Sequence, residues 1–216
     1  MQHFDAVIFD LDGLLLDSET LALAAFEKTC ARFELGDLSH IFKSLIGTNS
    51  ALGRALLQEG LSGIMDYEVF SADWQENYRA VTEDVPVPLM PGVREFLAHT
   101  TALNIPMAVA TSSQTAHAQN KLGHAGILDY FRHIIGGDQV EQSKPAPDIY
   151  LRAATALSVD PVKCLALEDS ANGVRAAVAA GMTVVQVPDL VQPDEQLLAL
   201  GHIVLNSMYH VATHDF

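Results

Sequence analysis

"IFDLDGLLLDSE", residues 8–19, runs apolar into two aspartates, turns at a glycine and becomes apolar again. Isoleucine and phenylalanine ahead of Asp10 suit a buried strand. A carboxylate at the end of such a strand is costly unless it is paired, hydrogen-bonded or bound to a cation. A second carboxylate two residues on adds repulsion when both are ionised. The stretch reads either as a strand ending in an ordinary polar turn or as carboxylates facing something that stabilises them.

Similar apolar runs recur along the chain, each followed by a polar turn and a helical pattern. They are AVIFD (6–10), PMAVAT (106–111), HIIGG (133–137), CLALED (164–169) and TVVQV (183–187), with HIVL (202–205) as a sixth candidate. Between them lie the helical stretches VREFLAHTTAL, QTAHAQNKLGHAG, APDIYLRAATAL and ANGVRAAVAAG. Continuous apolar strands alternating with helices predict an α/β fold, a Rossmann-like parallel sheet with helices on both faces. From about Ser18 to Leu89 the rhythm changes to helices only, with apolar spacing such as Leu21, Ala25, Phe26, Cys30 and Phe33. The Pro-rich VPVPLMPG (85–92) reads as the return linker. The expectation is an all-helical cap domain, residues 18–89, inserted into a catalytic core of residues 1–17 and 90–216.

Composition narrows the classes of function. Hydrophobic residues make up 49% of the 216 and charged ones 18%, which is globular and not disordered. A net charge of −15 argues against nucleic acid as a partner, which calls for a basic footprint. An anionic small molecule remains open, provided a cation or a local basic residue offsets the field. Cys30 and Cys164 sit at apolar positions far apart and read as buried free thiols, so a reducing cytoplasm is expected. The start of the chain has no basic n-region or long apolar run, and no stretch is long enough to span a bilayer. No membrane and no obligate protein partner is inferred.

In parallel sheets, ligands bind beyond the carboxyl ends of the strands. Those ends carry Asp10 and Asp12, then "TSS" (111–113), then Lys144 after the third strand, then Glu168 and Asp169. Each group has a use with phosphate. Asp10 is a candidate nucleophile that can form an aspartyl-phosphate. A carboxylate attacking a phosphate dianion needs a divalent cation between them. Mg²⁺ suits a site of one or two carboxylates plus phosphate oxygens, and Asp10 and Asp169 offer the carboxylates. Thr111 and the amide of Ser112 lie ahead of a helix, where phosphate oxygens bind readily. Lys144 adds a point charge.

"DLDGLLLDS", "TSS", "SKPAPDIY" and "EDSANG", in this order, resemble the four motifs of the haloacid dehalogenase superfamily of aspartate-nucleophile phosphatases. Within it the chain resembles the subfamily with a helical cap after the first motif. That subfamily includes β-phosphoglucomutase and phosphatases of sugar phosphates and pseudouridine 5′-phosphate. The resemblance implies that Asp10 is the nucleophile. It implies that Asp12 is the general acid for the leaving oxygen and then the base that activates water. It also implies that the Asp12 backbone carbonyl and the Asp169 side chain complete the protein ligands of Mg²⁺. Glu168 matches a position that ligates the metal directly or through water. A carboxylic acid working near neutral pH needs a raised pKa, and desolvation under a closed cap is expected to raise that of Asp12.

Other residues have plainer readings. Gly136 and Gly137 read as a turn, because no nucleotide-loop pattern accompanies them. Trp74 and Tyr78, one helical turn apart, read as cap core. His117 and His124 share a helix with no carboxylate pattern around them to suggest a metal site. Hydrolysis of a small phosphorylated metabolite is therefore the leading reading. A phosphosugar mutase is the alternative, with Lys43, Arg54 and Arg79 as cap cations for a second phosphate. Mutase members of the family resemble DxxxxH after the first motif, and counting from Asp17 this chain has Ala22 there. A non-enzymatic binding protein on the same scaffold is the third reading.

Overall fold

The computed structural model describes residues 4–82 and 85–214. Residues 1–3 and 215–216 of the expected core, and 83–84 of the expected cap, lie outside the described residues. The six apolar runs become strands β1 (Ala6–Phe9), β2 (Met107–Ala110), β3 (His133–Ile135), β4 (Cys164–Glu168), β5 (Thr183–Gln186) and β6 (Ile203–Val204). They form one sheet in the order β3-β2-β1-β4-β5-β6, with every neighbouring pair parallel.

Both faces of the sheet are buried, and they differ in size. Val7 and Phe9 of β1 share one face with Met107, Val109, Leu165, Leu167 and Val185. Phe9 meets the rings of Phe96 and Phe131 edge-on, at centroid distances of 5.8 and 5.6 Å. Burying a side chain of that size is worth roughly 1.5–3 kcal/mol. Helices α5 (Val93–Ala102) and α6 (Thr115–His124) cover this face. The opposite face is built from Ala6, Ala108, Ala110 and Ala166, with Ile8 and Cys164. Small residues there let α7 (Asp148–Leu157) and α8 (Ala171–Ala179) sit close through their own Ala153, Ala154, Ala176 and Ala177. Both cysteines are free and buried.

After β1, and before α5 returns the chain to the sheet, come four helices, α1 (Ser18–Arg32), α2 (Ser39–Leu45), α3 (Ser50–Gly60) and α4 (Tyr67–Thr82). They pack on an apolar centre of their own. Phe26 is its hub, with Phe42, Phe70 and Trp74 at ring distances of 5.6, 5.0 and 5.3 Å. A buried carboxylate there, Asp73, is satisfied by Thr29 and Asn77, each at 3.0 Å, and by Arg32. The inserted helical unit is thus a packed cap. Its entry and exit segments pair with each other. The Asp17 N–H donates to the Pro88 carbonyl at 2.9 Å and the Met90 N–H to the Leu15 carbonyl at 3.0 Å.

Two short helices near the end of the chain have no counterpart among the expected elements: α9 (Glu195–Leu198) and α10 (Met208–Thr213). Met208 and Val211 of α10 close the Phe9 side of the core beside α5. No helix among the described residues is long and apolar enough to cross a membrane.

Candidate active site

Winding of the sheet reverses between β1 and β4, and a crevice forms at the carboxyl ends of such a pair. Asp10 follows β1 directly, with its N–H donating to the Leu167 carbonyl of β4 at 3.0 Å. Glu168 is the last residue of β4 and Asp169 the next. Lys144 arrives from the loop after β3. Its ammonium lies 2.5 Å from Asp10 Oδ1 and 2.5 Å from Glu168 Oε1, and the residue is only 3% exposed. Thr111 is buried at the end of β2, where its Oγ1 accepts the Ser113 N–H at 3.1 Å. Ser112 lies half-buried beside it on the cavity wall. A side-chain carbon on Gly137 would stand 2.6 Å from the Ser112 carbonyl, so glycine there lets the turn after β3 press against this segment. The structure brings together Asp10, Asp12, Thr111, Ser112, Lys144, Glu168 and Asp169.

Glu168 is fully enclosed and rich in donors. Oε1 accepts from Lys144 and from the Tyr150 hydroxyl of α7. Oε2 accepts from Ser170 Oγ at 3.1 Å and from the N–H groups of Asp169 and Ser170 at 3.2 and 3.3 Å. Gly173 leaves room for this carboxylate, since a side-chain carbon there would fall 1.9 Å from it. With both oxygens engaged, Glu168 anchors Lys144, and any direct metal bond from it competes with those donors.

Asp169 is different. Its Oδ1 is buried without a hydrogen-bond partner, and one oxygen each of Asp10, Glu168 and Asp169 lie within 4.8 Å of one another. Burial pushes the Asp10 carboxyl up to about 7; Lys144 opposes the shift, and the Glu168 charge adds to it. Burial, then the charges of Asp10 and Glu168, hold Asp169 well above the usual carboxylate range. Three buried carboxylates face one lysine. Such a group is short of positive charge, and a hard divalent cation with oxygen ligands fits the deficit.

Asp12 points the other way, toward the cap. Its Oδ1 accepts from Ser18 Oγ at 2.7 Å and from Lys121 Nζ at 2.6 Å, and its Oδ2 from Ser113 Oγ at 2.8 Å. Burial works to raise its pKa, but the Lys121 charge and the three hydrogen bonds prevail and hold it below 3.8. The expectation of a raised pKa is overturned: desolvation is the largest single effect, but the Lys121 charge and the hydrogen bonds from Lys121, Ser18 and Ser113 together outweigh it. Sequence reasoning missed Lys121, which stands on α6 between the buried Ala118 and Leu122, and no motif marks it. It also missed Glu19, in the first turn of α1. Burial and then the Asp12 charge push Glu19 up to about 8.

These residues open onto a cavity of about 500 Å³ between core and cap. From the cap, Asn49, Arg54, Tyr67, Trp74, Gln75 and Tyr78 reach it. Of the three cations named from the sequence, Arg54 alone lines the cavity among the described residues, its guanidinium 5.9 Å from the centre of the Tyr67 ring. Arg79 lies in an adjoining groove with His117 and His124, which shares Gln75, Tyr78 and Lys121 with the cavity wall. Trp74 packs on Phe26 and Phe42 as expected and donates to the Ala22 carbonyl at 3.0 Å, with one edge exposed to the cavity. Tyr78 departs from the core reading: its hydroxyl stands beside Lys121 at the cavity wall.

A buried strand-end carboxylate, a buried lysine and an acidic pair at one sheet edge under a helical cap describe a class of enzyme. Residues 7–187 match the family model of the haloacid dehalogenase-like hydrolases, and the chain belongs to that family. Its curated relatives place it among the phosphatases. It is 33% identical over 178 residues to a phosphorylated carbohydrates phosphatase of Thermotoga maritima, which covers 82% of each chain. It is 35% identical over 188 residues to a probable pseudouridine-5′-phosphatase of Drosophila melanogaster, covering 84% of this chain and 80% of that one. A solved putative β-phosphoglucomutase from Thermotoga maritima superposes with a TM-score of 0.77 at 31% identity, covering 96% of both chains.

Proposed function

We propose that the protein is a Mg²⁺-dependent phosphatase of small phosphate monoesters, acting through an aspartyl-phosphate on Asp10. Sugar phosphates and nucleoside 5′-phosphates such as pseudouridine 5′-phosphate are the substrate class. The unpartnered Asp169 Oδ1 beside Asp10 and Lys144 carries this reading. A cation held by Asp10, Asp169 and the Asp12 carbonyl would screen the substrate phosphate from the carboxylates. Lys144, Thr111 and the Ser112 amide bind the remaining phosphate oxygens. Asp10 attacks phosphorus, the ester P–O bond breaks, and the leaving oxygen takes the proton of Asp12. Water then gives a proton to Asp12 and attacks the phosphoryl group, and the P–O bond to Asp10 breaks to release phosphate.

The Lys121 charge and the hydroxyl donors lower the pKa of Asp12 and favour its carboxylate, the form that serves this second half; protonation of an alkoxide leaving group draws on the protonated form. Catalytic core (1–17 and 90–216) and cap (18–89) divide at the paired segments around Leu16 and Leu89. The two free thiols suit a reducing cytoplasm.

The mutase alternative gains from the likeness to a putative β-phosphoglucomutase but lacks a histidine at Ala22, which lines the cavity without a polar side chain. Phosphate release from a panel of phosphomonoesters, with Mg²⁺ and then with EDTA, separates the readings. The phosphatase releases inorganic phosphate only with the metal. Glucose 1-phosphate converted to glucose 6-phosphate without free phosphate would establish the mutase, and full turnover in metal-free EDTA would refute the metal role.

A further inference from the structure

Lys121 has no part in the chemistry described above, yet its ammonium makes a 2.6 Å contact to Asp12. The helix that carries it is fixed to the core by Ala118 and Leu122, both fully buried. From that rigid base Lys121 reaches Asp12 on one side and the Tyr78 hydroxyl of cap helix α4 on the other. Without it, Asp12 would keep two hydroxyl donors, Ser18 and Ser113, while facing the carboxylates of Asp10 and Glu19. Its carboxylate would then lose the ammonium contact that holds the side chain toward the cavity. Lys144, not Lys121, is the lysine placed against the nucleophile.

Building on the phosphatase reading, we propose that Lys121 is a positioning residue for Asp12. Its ammonium fixes the Asp12 carboxylate on the leaving-group side of the cavity and ties it to the cap through Tyr78. Lys121 contacts Asp12 and not the substrate phosphate or the ester oxygen. Its effect on turnover therefore passes through Asp12 and disappears when Asp12 is gone.

The test is a double-mutant cycle of Lys121→Met and Asp12→Asn in the full chain with Mg²⁺, assayed on glycerol 1-phosphate and p-nitrophenyl phosphate. Lys121→Met is expected to lower kcat on the alkyl ester by about tenfold or more, short of the roughly 10²–10⁴-fold loss from removing the acid itself. KM should stay within about twofold, and the first-turnover release of p-nitrophenol should persist. Adding Lys121→Met to Asp12→Asn should change the rate by less than about twofold, the mark of residues that act as a unit. Lys121→Arg should restore most of the rate, and Tyr78→Phe should cost part of it on the alkyl ester only.

Binding of inorganic phosphate with Mg²⁺, read by calorimetry, should be unchanged in Lys121→Met. A multiplicative loss in the Asp12→Asn background would overturn the proposal. So would a tenfold weakening of phosphate binding, which would make Lys121 a phosphate ligand. If Lys121→Met does not fold, Lys121→Gln enters the same cycle. A wild type that hydrolyses neither ester would instead refute the phosphatase reading, while the phosphate-binding comparison would still decide whether Lys121 is a ligand.

Discussion

Replacing Asp10, the proposed nucleophile, should stabilise the metal-free protein while abolishing turnover. In the folded chain Asp10 is raised from 3.8 to about 7. Between those values the folded state keeps a proton that the unfolded chain has lost, so stability falls as pH rises through the window. By about pH 8 the accumulated cost is about 4 kcal/mol, at about 1.36 kcal/mol for each step of one in pKa. Asp10→Asn carries no such charge, and its amide oxygen still accepts from Lys144. Allowing for the weaker neutral contact, the variant should exceed wild type by roughly 2–4 kcal/mol at about pH 8, with the gap closing toward about pH 4. For a chain of this length that is roughly 5–15 °C in Tm. Urea or thermal melts in EDTA across this pH range are the assay, and Mg²⁺ should narrow the gap by stabilising wild type more. A variant no more stable than wild type at the alkaline end would refute the picture of an over-charged carboxylate cluster.

Asp12→Ala should slow alkyl phosphate turnover by roughly 10²–10⁴-fold yet leave a first-turnover burst of p-nitrophenol, since that leaving group departs without a proton; stopped-flow absorbance reads it. Gly173→Ala should lower stability by roughly 1–3 kcal/mol in a denaturant melt, because the new methyl group falls on the Glu168 carboxylate, and turnover should drop as Lys144 loses its anchor. Arg54→Ala should raise KM for sugar phosphates with kcat little changed, as expected of a cap contact made equally to bound substrate and transition state.

The strands were legible because a sheet covered on both faces leaves continuous apolar runs, and "AVIF" and "CLAL" are such runs. For the same reason the sequence is silent on which face each residue takes: with both faces apolar, the alternation of Phe9 with Ile8 carries no polar mark. α9 and α10 span 4 and 6 residues, too short for a helical period to emerge, so they went unseen. At the site, the groups that follow strand ends were legible as chemistry. Their ionisation was not. A pKa is a sum over every neighbour in space, and the neighbour that decides the state of Asp12 lies 109 residues away on a helix face with no motif. Desolvation can be anticipated from an apolar flank such as "IF"; a countercharge that arrives by folding cannot. Tyr78 shows the same limit within a single helix. One turn from Trp74, it shares the period that marks core, yet α4 runs along the rim of the cavity, so the same face is apolar centre at Trp74 and active-site wall at Tyr78. Periodicity identifies the face of a helix, and only the packing of that helix against the sheet edge decides where along its length core ends and chemistry begins.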